Sequence, residues 1–434
     1  MEPPRRRPAT PPDAAVAVVP QRDGRLRWLW AVLAIAGIAE WAQAAATFFG
    51  HDRFRWFSQD FPALYAAARL VAEGAGAGVY DTRTIAAAEL AAAGRPVGGT
   101  GVLAYFNPPF FAFILSPLSE LSLTDAYRVW TLLSVGLVAV DAWLIWLIAG
   151  GMRRSSRAAL VLAFLTLFPL TYGLQVGQFS PILVTSWAAA FLLLRRGRPR
   201  SAGIALAPLL IKPELLLPVS AYLLWKRQWG VFSTLVPAAA VAVAVSLWVI
   251  GPGNALSYPA YLLHSTTWTA DGVATNVMLG WNGIIAMRWD PALIPTARLA
   301  VAALGIVTLA GVAVACRGPL DLRSDRFAVQ WALLTVATLL VDPHLYLQDT
   351  IILAPAAAAL LAVAPSVARG RVAVALLAGW VLLGLGVFPN EHLGINAFGL
   401  YLAAAALALV LWPRIFVDAP PEQVPGIPSR LATA

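Results

Sequence analysis

Four polar side chains stand out in a chain with little other chemistry to offer: Asp60, Gln178, Lys212 and His344. Each sits in a short motif beside an apolar run: Asp60-Phe61, 175-QVGQFS-180, Lys212-Pro213 and 342-DPHLYLQD-349. A carboxylate can take a proton from a hydroxyl, an ammonium can steady an anion, and an imidazole can do either. Every one of them also has a plainer use. Aspartate is a favoured helix cap, and lysine at the rim of an apolar run can stretch its ammonium out to water. Gln178 reads as a cap of the next apolar run or as a binder of hydroxyls. His344 follows Pro343, which forces a turn and points the imidazole away from a helix. Cys316 is the sole cysteine, and His51, His264, His344 and His392 have no metal-ligand spacing, so neither a metal site nor a cofactor is expected.

The element that must carry Asp60 is 58-SQDFPALYAAARLVAEGAGAGVYD-81. Phe61, Leu64, Tyr65, Ala68 and Ala72 recur at helical spacing, Asp60 precedes Pro62, and Gly74, Gly76 and Gly78 end the pattern. The helix is too short to cross a bilayer, which takes about 20 apolar residues. An amphipathic helix lying on the membrane surface is expected, with Asp60 kept ionised at its start by the backbone N–H groups and the helix dipole.

Composition sets the class of the remainder. The 434 residues are 59% hydrophobic and 12% charged, and the mean hydropathy is +0.72. Such a chain is an all-α integral membrane protein. Residues 1–27 are rich in proline and arginine and read as a disordered tail. A signal peptide ending near Ala42-Gln43-Ala44 competes with an uncleaved first span from Trp28, but the run is long for a signal core and Glu40 interrupts it. Apolar runs recur at about 124–150, 158–174, 180–194, 201–225, 229–250, 296–316, 327–341, 349–364, 372–388 and 394–412.

Basic clusters between these runs fix the orientation: Arg153, Arg154 and Arg157; Arg195 to Arg200; Lys226 and Arg227; Arg317, Arg323 and Arg326; Arg369 and Arg371; Arg414. The positive-inside rule puts them in the cytoplasm with both tails. Two readings make the topology consistent. The 201–225 run is a hairpin turning at Lys212-Pro213, and 104–118, with Pro108, Pro109 and Pro117, is re-entrant or lies on the surface. About 12 spans result, in one domain over 28–412, with 413–434 as a second cytoplasmic tail. The net charge of +9 then faces lipid headgroups and is no footprint for nucleic acid. Asp60, Gln178, Lys212 and His344 gather on the outer side, with 275-TNVMLGWNG-283 and 390-NEHLG-394. Glu40 and Asp141 lie within spans, where an acid is either functional or packed against a neighbouring helix.

Several motifs in order carry a resemblance: Asp60-Phe61 with Tyr65 and Tyr80-Asp81; Tyr105, Pro108-Pro109 and Pro117-Leu118; Gly177-Gln178; Lys212-Pro213; and Pro343-His344. From about residue 28 to 412 the chain resembles glycosyltransferase family 87. These are integral-membrane enzymes of the GT-C fold, related to polyprenol-phosphate-mannose-dependent mannosyltransferases. The resemblance implies transfer of mannose or another sugar from a polyprenyl-phosphate donor to a lipid or glycan acceptor. That transfer inverts the anomeric carbon and takes place on the outer face of the plasma (inner) membrane. It implies Asp60 and His344 as catalytic groups, Asp60 being the base. Lys212 is implied at the donor phosphate, with Gln178, Tyr105, Asn107 and Tyr65 as further substrate-binding residues. Leu345, Tyr346 and Leu347 follow the Pro-His pair where related enzymes often carry a second aromatic or histidine, which leaves sugar and acceptor open. A transporter or lipid flippase is the competing class. It predicts repeated halves with charged sites near the midplane, whereas the polar motifs here gather at one face. A membrane scaffold, the third class, has no use for them.

Overall fold

The computed structural model describes residues 24–50, 60–98, 101–265, 278–288, 294–364 and 366–384, and no strand occurs among them. In chain order the helices are α1 (Gly24–Phe49), α2 (Phe61–Ala72), α3 (Thr82–Ala93), α4 (Pro109–Leu115), α5 (Leu123–Ile148), α6 (Arg154–Leu165), α7 (Phe168–Val176), α8 (Ser180–Arg195) and α9 (Pro199–Leu206). There follow α10 (Pro213–Trp225), α11 (Trp229–Ile250), α12 (Ser257–Ser265), α13 (Trp281–Arg288), α14 (Ile294–Ala315), α15 (Asp325–Val341), α16 (Leu353–Val363) and α17 (Ser366–Gly384).

Among the described residues four helical stretches are long and apolar enough to cross a membrane: Leu123–Ile148, Arg154–Val176, Trp229–Ile250 and Thr296–Ala315. The last two bury little of themselves, and Val236, Val241, Val243, Trp248, Leu299, Ile306 and Val307 stand exposed on them. Apolar surface of that extent needs a cover, and lipid supplies it. The expected count of twelve is not reached among the described residues, and the run at 394–412 lies outside them. The same holds for Ser58, Gln59, residues 275–277 and the 390–394 motif.

Two expected breaks are found. The 104–118 segment contains only the seven-residue α4 and a 3₁₀ turn at Ser116–Glu120. Seven residues rise about 10 Å, too short to span. The 201–225 run is interrupted at Lys212, whose φ of −132° and ψ of 76° separate a 3₁₀ turn at Ala207–Ile211 from α10. The lone acids within spans also find partners: the Thr171 hydroxyl donates to Glu40 at 2.9 Å and the Thr185 hydroxyl to Asp141 at 2.5 Å. Each ties two helices together.

One expectation is corrected. α2 does not offer one apolar face to a membrane surface, because Phe61 to Ala68 and Leu70 are all buried. Its supposed polar face is made of alanines, Ala63, Ala66 and Ala67, small enough for neighbouring elements to close over them.

Helices α8, α10 and α15 give the bundle two chemically distinct ends. At one, Lys226 donates to the carbonyls of Cys316 and Gly318, Arg195 to that of Arg323, and Arg326 to that of Arg317. At the other ends of the same three helices stand Gln178, Lys212 and Asp342.

Candidate functional site

Asp60 occupies the N-cap position of α2, with φ −94° and ψ −32°, yet its side chain makes no capping hydrogen bond. The Gln178 amide instead donates to Asp60 Oδ2 at 2.8 Å. A tight crossing brings the two together. α7 ends at Gly177 with φ 75°, a left-handed conformation that glycine adopts without strain. A Cβ built there would lie 2.5 Å from Phe61 Cβ, so only glycine lets α2 approach this closely. Trp130 Nε1 donates to the Gly177 carbonyl at 2.8 Å, and Tyr127 reaches the carbonyls of Leu174 and Gln175, fixing the turn from α5.

The helix start does not keep the Asp60 carboxyl acidic, as the sequence reading expects. Desolvation by burial pushes it up to about 6, opposed by the Gln178 hydrogen bond and reinforced by the charge of Asp349. Asp81 shows the contrast: its carboxylate caps α3, accepting from Thr84 N at 2.8 Å and Thr84 Oγ1 at 2.7 Å, and is held below the ordinary range by those bonds.

Lys212 hydrogen-bonds Asp349 and the His344 carbonyl and is ion-paired with Asp342 as well. Its ammonium lies 2.5 Å from Asp349 Oδ2 and 3.1 Å from Asp342 Oδ2, and donates to the His344 carbonyl at 3.2 Å. Burial works against this charge, but Asp342 and Asp349 outweigh it and hold the lysine above its usual value. Lys212, Asp342, His344 and Asp349 are 7%, 1%, 2% and 3% exposed, so this is an interior ion cluster. The turn is built locally. Pro343 ends α15, the His344 N–H donates to Asp342 Oδ1 at 2.8 Å, and the Tyr346 N–H donates to Asp349 Oδ2 at 3.1 Å. Residues 278–283 brace it from outside, through Leu279 N to the Leu345 carbonyl and Asn282 Nδ2 to the Pro343 carbonyl.

Asp60 belongs to the same neighbourhood. The half-buried Tyr346 feels the charges of Asp60, Lys212, Asp349 and Asp342 together. The 105–110 segment closes another side, where Phe106 stacks on the His344 ring with centroids 5.2 Å apart. Asn107 Nδ2 donates to the Ile211 carbonyl at 3.1 Å, and the Tyr105 hydroxyl to the Pro108 carbonyl at 3.1 Å. The Tyr65 hydroxyl turns away to the Leu121 carbonyl at 2.7 Å.

Six of the seven expected residues therefore cluster: Asp60, Gln178, Lys212, His344, Asn107 and Tyr105. Tyr65 contributes to the packing of α2 on the 119–121 turn. The sequence reading gives no role to Asp342 and Asp349, although both lie in the DPHLYLQD motif. The available signal is that a lysine between apolar runs requires an acid at a neighbouring run's end.

No curated protein matches the chain. The model of glycosyltransferase family 87 matches residues 105–343, taking in Tyr105, Asn107, Gln178 and Lys212 and stopping at Pro343. Over more than half its length, through the segments that enclose this cluster, the chain carries that family's sequence pattern, and it belongs to glycosyltransferase family 87.

Proposed function

We propose that the chain transfers a sugar from a polyprenyl-phosphate donor to a hydroxyl of a lipid or glycan acceptor, with inversion and with Asp60 as general base. The observation that carries this is the Asp60 carboxylate, which leaves its own helix uncapped and is aimed by Gln178. A glycosyltransferase needs a base at the acceptor hydroxyl, and a carboxylate with a pKa of about 6 is ionised at neutral pH while still basic enough to take a proton.

In this reaction the acceptor O–H gives its proton to Asp60 as its oxygen bonds to the anomeric carbon. The bond from that carbon to the phosphate oxygen breaks on the opposite face, and the lipid phosphate leaves with the electron pair. Positive charge and hydrogen-bond donors near the departing phosphate lower the barrier. Lys212 serves there by exchanging one of its two carboxylates for the phosphate, and His344, one residue past the same turn, supplies a second contact. Tyr105 and Asn107 shape the wall behind the substrates, and Tyr65 holds α2 in place. The reaction is assigned to the outer face of the plasma membrane, within a GT-C bundle. Residue types at the bundle's two ends support that side, the basic residues gathering away from the site.

The test is transfer of labelled mannose from polyprenyl-phosphoryl mannose by the purified protein in lipid nanodiscs, using extracted membrane lipids and oligomannosides as acceptors. Wild-type activity that Asp60→Asn lowers by roughly 10²–10⁴-fold is the expected result. Turnover of Asp60→Asn within a few-fold of wild type removes the base.

A further inference from the structure

Beside the ion cluster lies a second group of side chains that proton transfer and phosphate departure leave unused. Glu214 stands two residues after Lys212, in the first turn of α10, so the break that positions the lysine positions it too. Its Oε2 is buried with no hydrogen-bond partner among the described residues. The same is true of the Ser257 hydroxyl and the Tyr258 hydroxyl, on the first turn of α12. Tyr258 lies within electrostatic reach of Glu214, and burial together with that charge keeps its phenol protonated and so a hydrogen-bond donor.

Rings surround these atoms. Tyr258 and Tyr261, one helical turn apart, both meet Tyr80, with centroids 5.6 and 5.3 Å away and planes tilted by 36° and 33°. Tyr261 also meets Phe106 at 5.9 Å, and Phe106 stacks on His344, so the aromatic wall runs from α12 to the turn beside Lys212. Tyr80, Phe106, Tyr258 and Tyr261 are all half-buried, so each keeps some surface available.

Packing alone does not account for the hydroxyls. A buried tyrosine ordinarily finds a partner for its O–H, and phenylalanine would fill the same wall without stranding one. A carboxyl, a neutral phenol and a serine hydroxyl beside flat ring faces suit a ligand with several hydroxyls and an apolar C–H face. That ligand is a sugar ring. None of these groups is a cation, so this end fits the uncharged ring better than a phosphoryl group.

We propose that Glu214 and Tyr258, walled by Tyr80, Tyr261 and Phe106, form a pyranose-binding subsite. Glu214 and Tyr258 bond the ring hydroxyls there, and the aromatic faces cover its C–H side. The proposal deepens the glycosyl-transfer reading and rests on it for its purpose, but its test does not depend on turnover. The bound ring belongs either to the donor or to the acceptor.

The experiment is saturation-transfer NMR on the nanodisc-embedded chain with the methyl α-pyranosides of mannose, glucose and galactose. At least one should bind, and Tyr258→Phe or Glu214→Gln should weaken it about tenfold, the worth of one lost hydrogen bond to a buried polar group. Tyr258→Phe removes only an oxygen from a short surface helix, so it keeps the test valid if Glu214→Gln fails to fold. Displacement of the pyranoside by a short-chain isoprenyl-phosphoryl mannose assigns the subsite to the donor sugar, and joint binding assigns it to the acceptor. Absence of binding by all three probes, or equal affinity in wild type and Tyr258→Phe, overturns the proposal. Sugar binding that depends on Tyr258, without transfer from any polyprenyl-phosphate donor, would sink the transfer reading and leave the subsite standing.

Discussion

An aspartate that opens a helix without capping it keeps its carboxylate free for another task. Asp60 is in that position, and among the described residues Gln178 is its side-chain hydrogen-bond partner. The pH dependence of transfer follows from this pair. With Asp60 as the proposed base, which works only when ionised, kcat/KM should fall as pH drops below about 6, tenfold per unit, because burial sets the Asp60 pKa there. Gln178 stabilises the ionised form, and its removal must raise the pKa further. A hydrogen bond to a charged group is worth about 1.5–3 kcal/mol, so Gln178→Leu should move the acidic limb upward by roughly one unit or more. A merely structural glutamine would lower activity equally at every pH, so pH–rate profiles of both proteins decide between the roles. The sequence allowed Asp60 to be singled out by its place before Phe61-Pro62. It gave no sign that the carboxylate would leave its own helix, because that depends on the distant Gly177 meeting Phe61.

At the scale of elements, two junctions hold the site, and each is expected to fail in its own way. The first is the crossing of α2 and α7 at Gly177. Gly177→Ala places a methyl 2.5 Å from Phe61 Cβ and asks alanine to hold φ 75°, so the two helices must part. Displacing a catalytic group by about 1 Å can cost roughly 10²-fold in rate. Gly177→Ala should therefore express and stay membrane-bound but turn over about a hundredfold more slowly, as initial rates on purified protein will show. The second junction is Lys212, which ties the break before α10 to the turn after α15. Removing one partner of a buried ion pair costs about 3–5 kcal/mol, since the opposite charge stays behind. Lys212→Ala should lower the thermal midpoint clearly, and Lys212→Ala with Asp349→Asn should recover part of the loss. A single variant as stable as wild type would dissolve this junction. The break at Lys212-Pro213 is legible from the proline and from the charge in an apolar run. The identity of the partners is not, since Asp342 and Asp349 lie more than a hundred residues away and pairing across that distance is a tertiary fact. The enclosed α2 was missed for a related reason: alanines do not declare in sequence whether they face water or a neighbour.

For the whole molecule, charge and chemistry separate along the bundle axis. Arg195, Arg323, Lys226 and Arg326 meet around the 316–323 carbonyls, while Gln178, Lys212 and Asp342 stand at the opposite ends of α8, α10 and α15. This polarity was readable from the spacing of basic residues between apolar runs, because insertion acts on local charge and needs no knowledge of packing. It yields a topology that can be tested without any substrate. Cys316, the sole cysteine, is buried, so the native chain offers no reactive background. Gly253 is exposed, has open space where a side chain would go, and follows α11 at its site-bearing end. Ser155 is exposed and Ser324 partly so, both at the basic end. Cysteine at 253 should react with a membrane-impermeant maleimide applied to intact cells, and cysteine at 155 or 324 only after the membrane is opened. The positive-inside rule gives the sign, and the structure gives the expectation that 155 and 324 behave alike. Labelling of 155 and 324 in intact cells, with 253 protected, would invert the molecule and put Asp60 on the cytoplasmic side. Labelling of 155 and 324 on different sides would contradict the bundle's two-ended order itself.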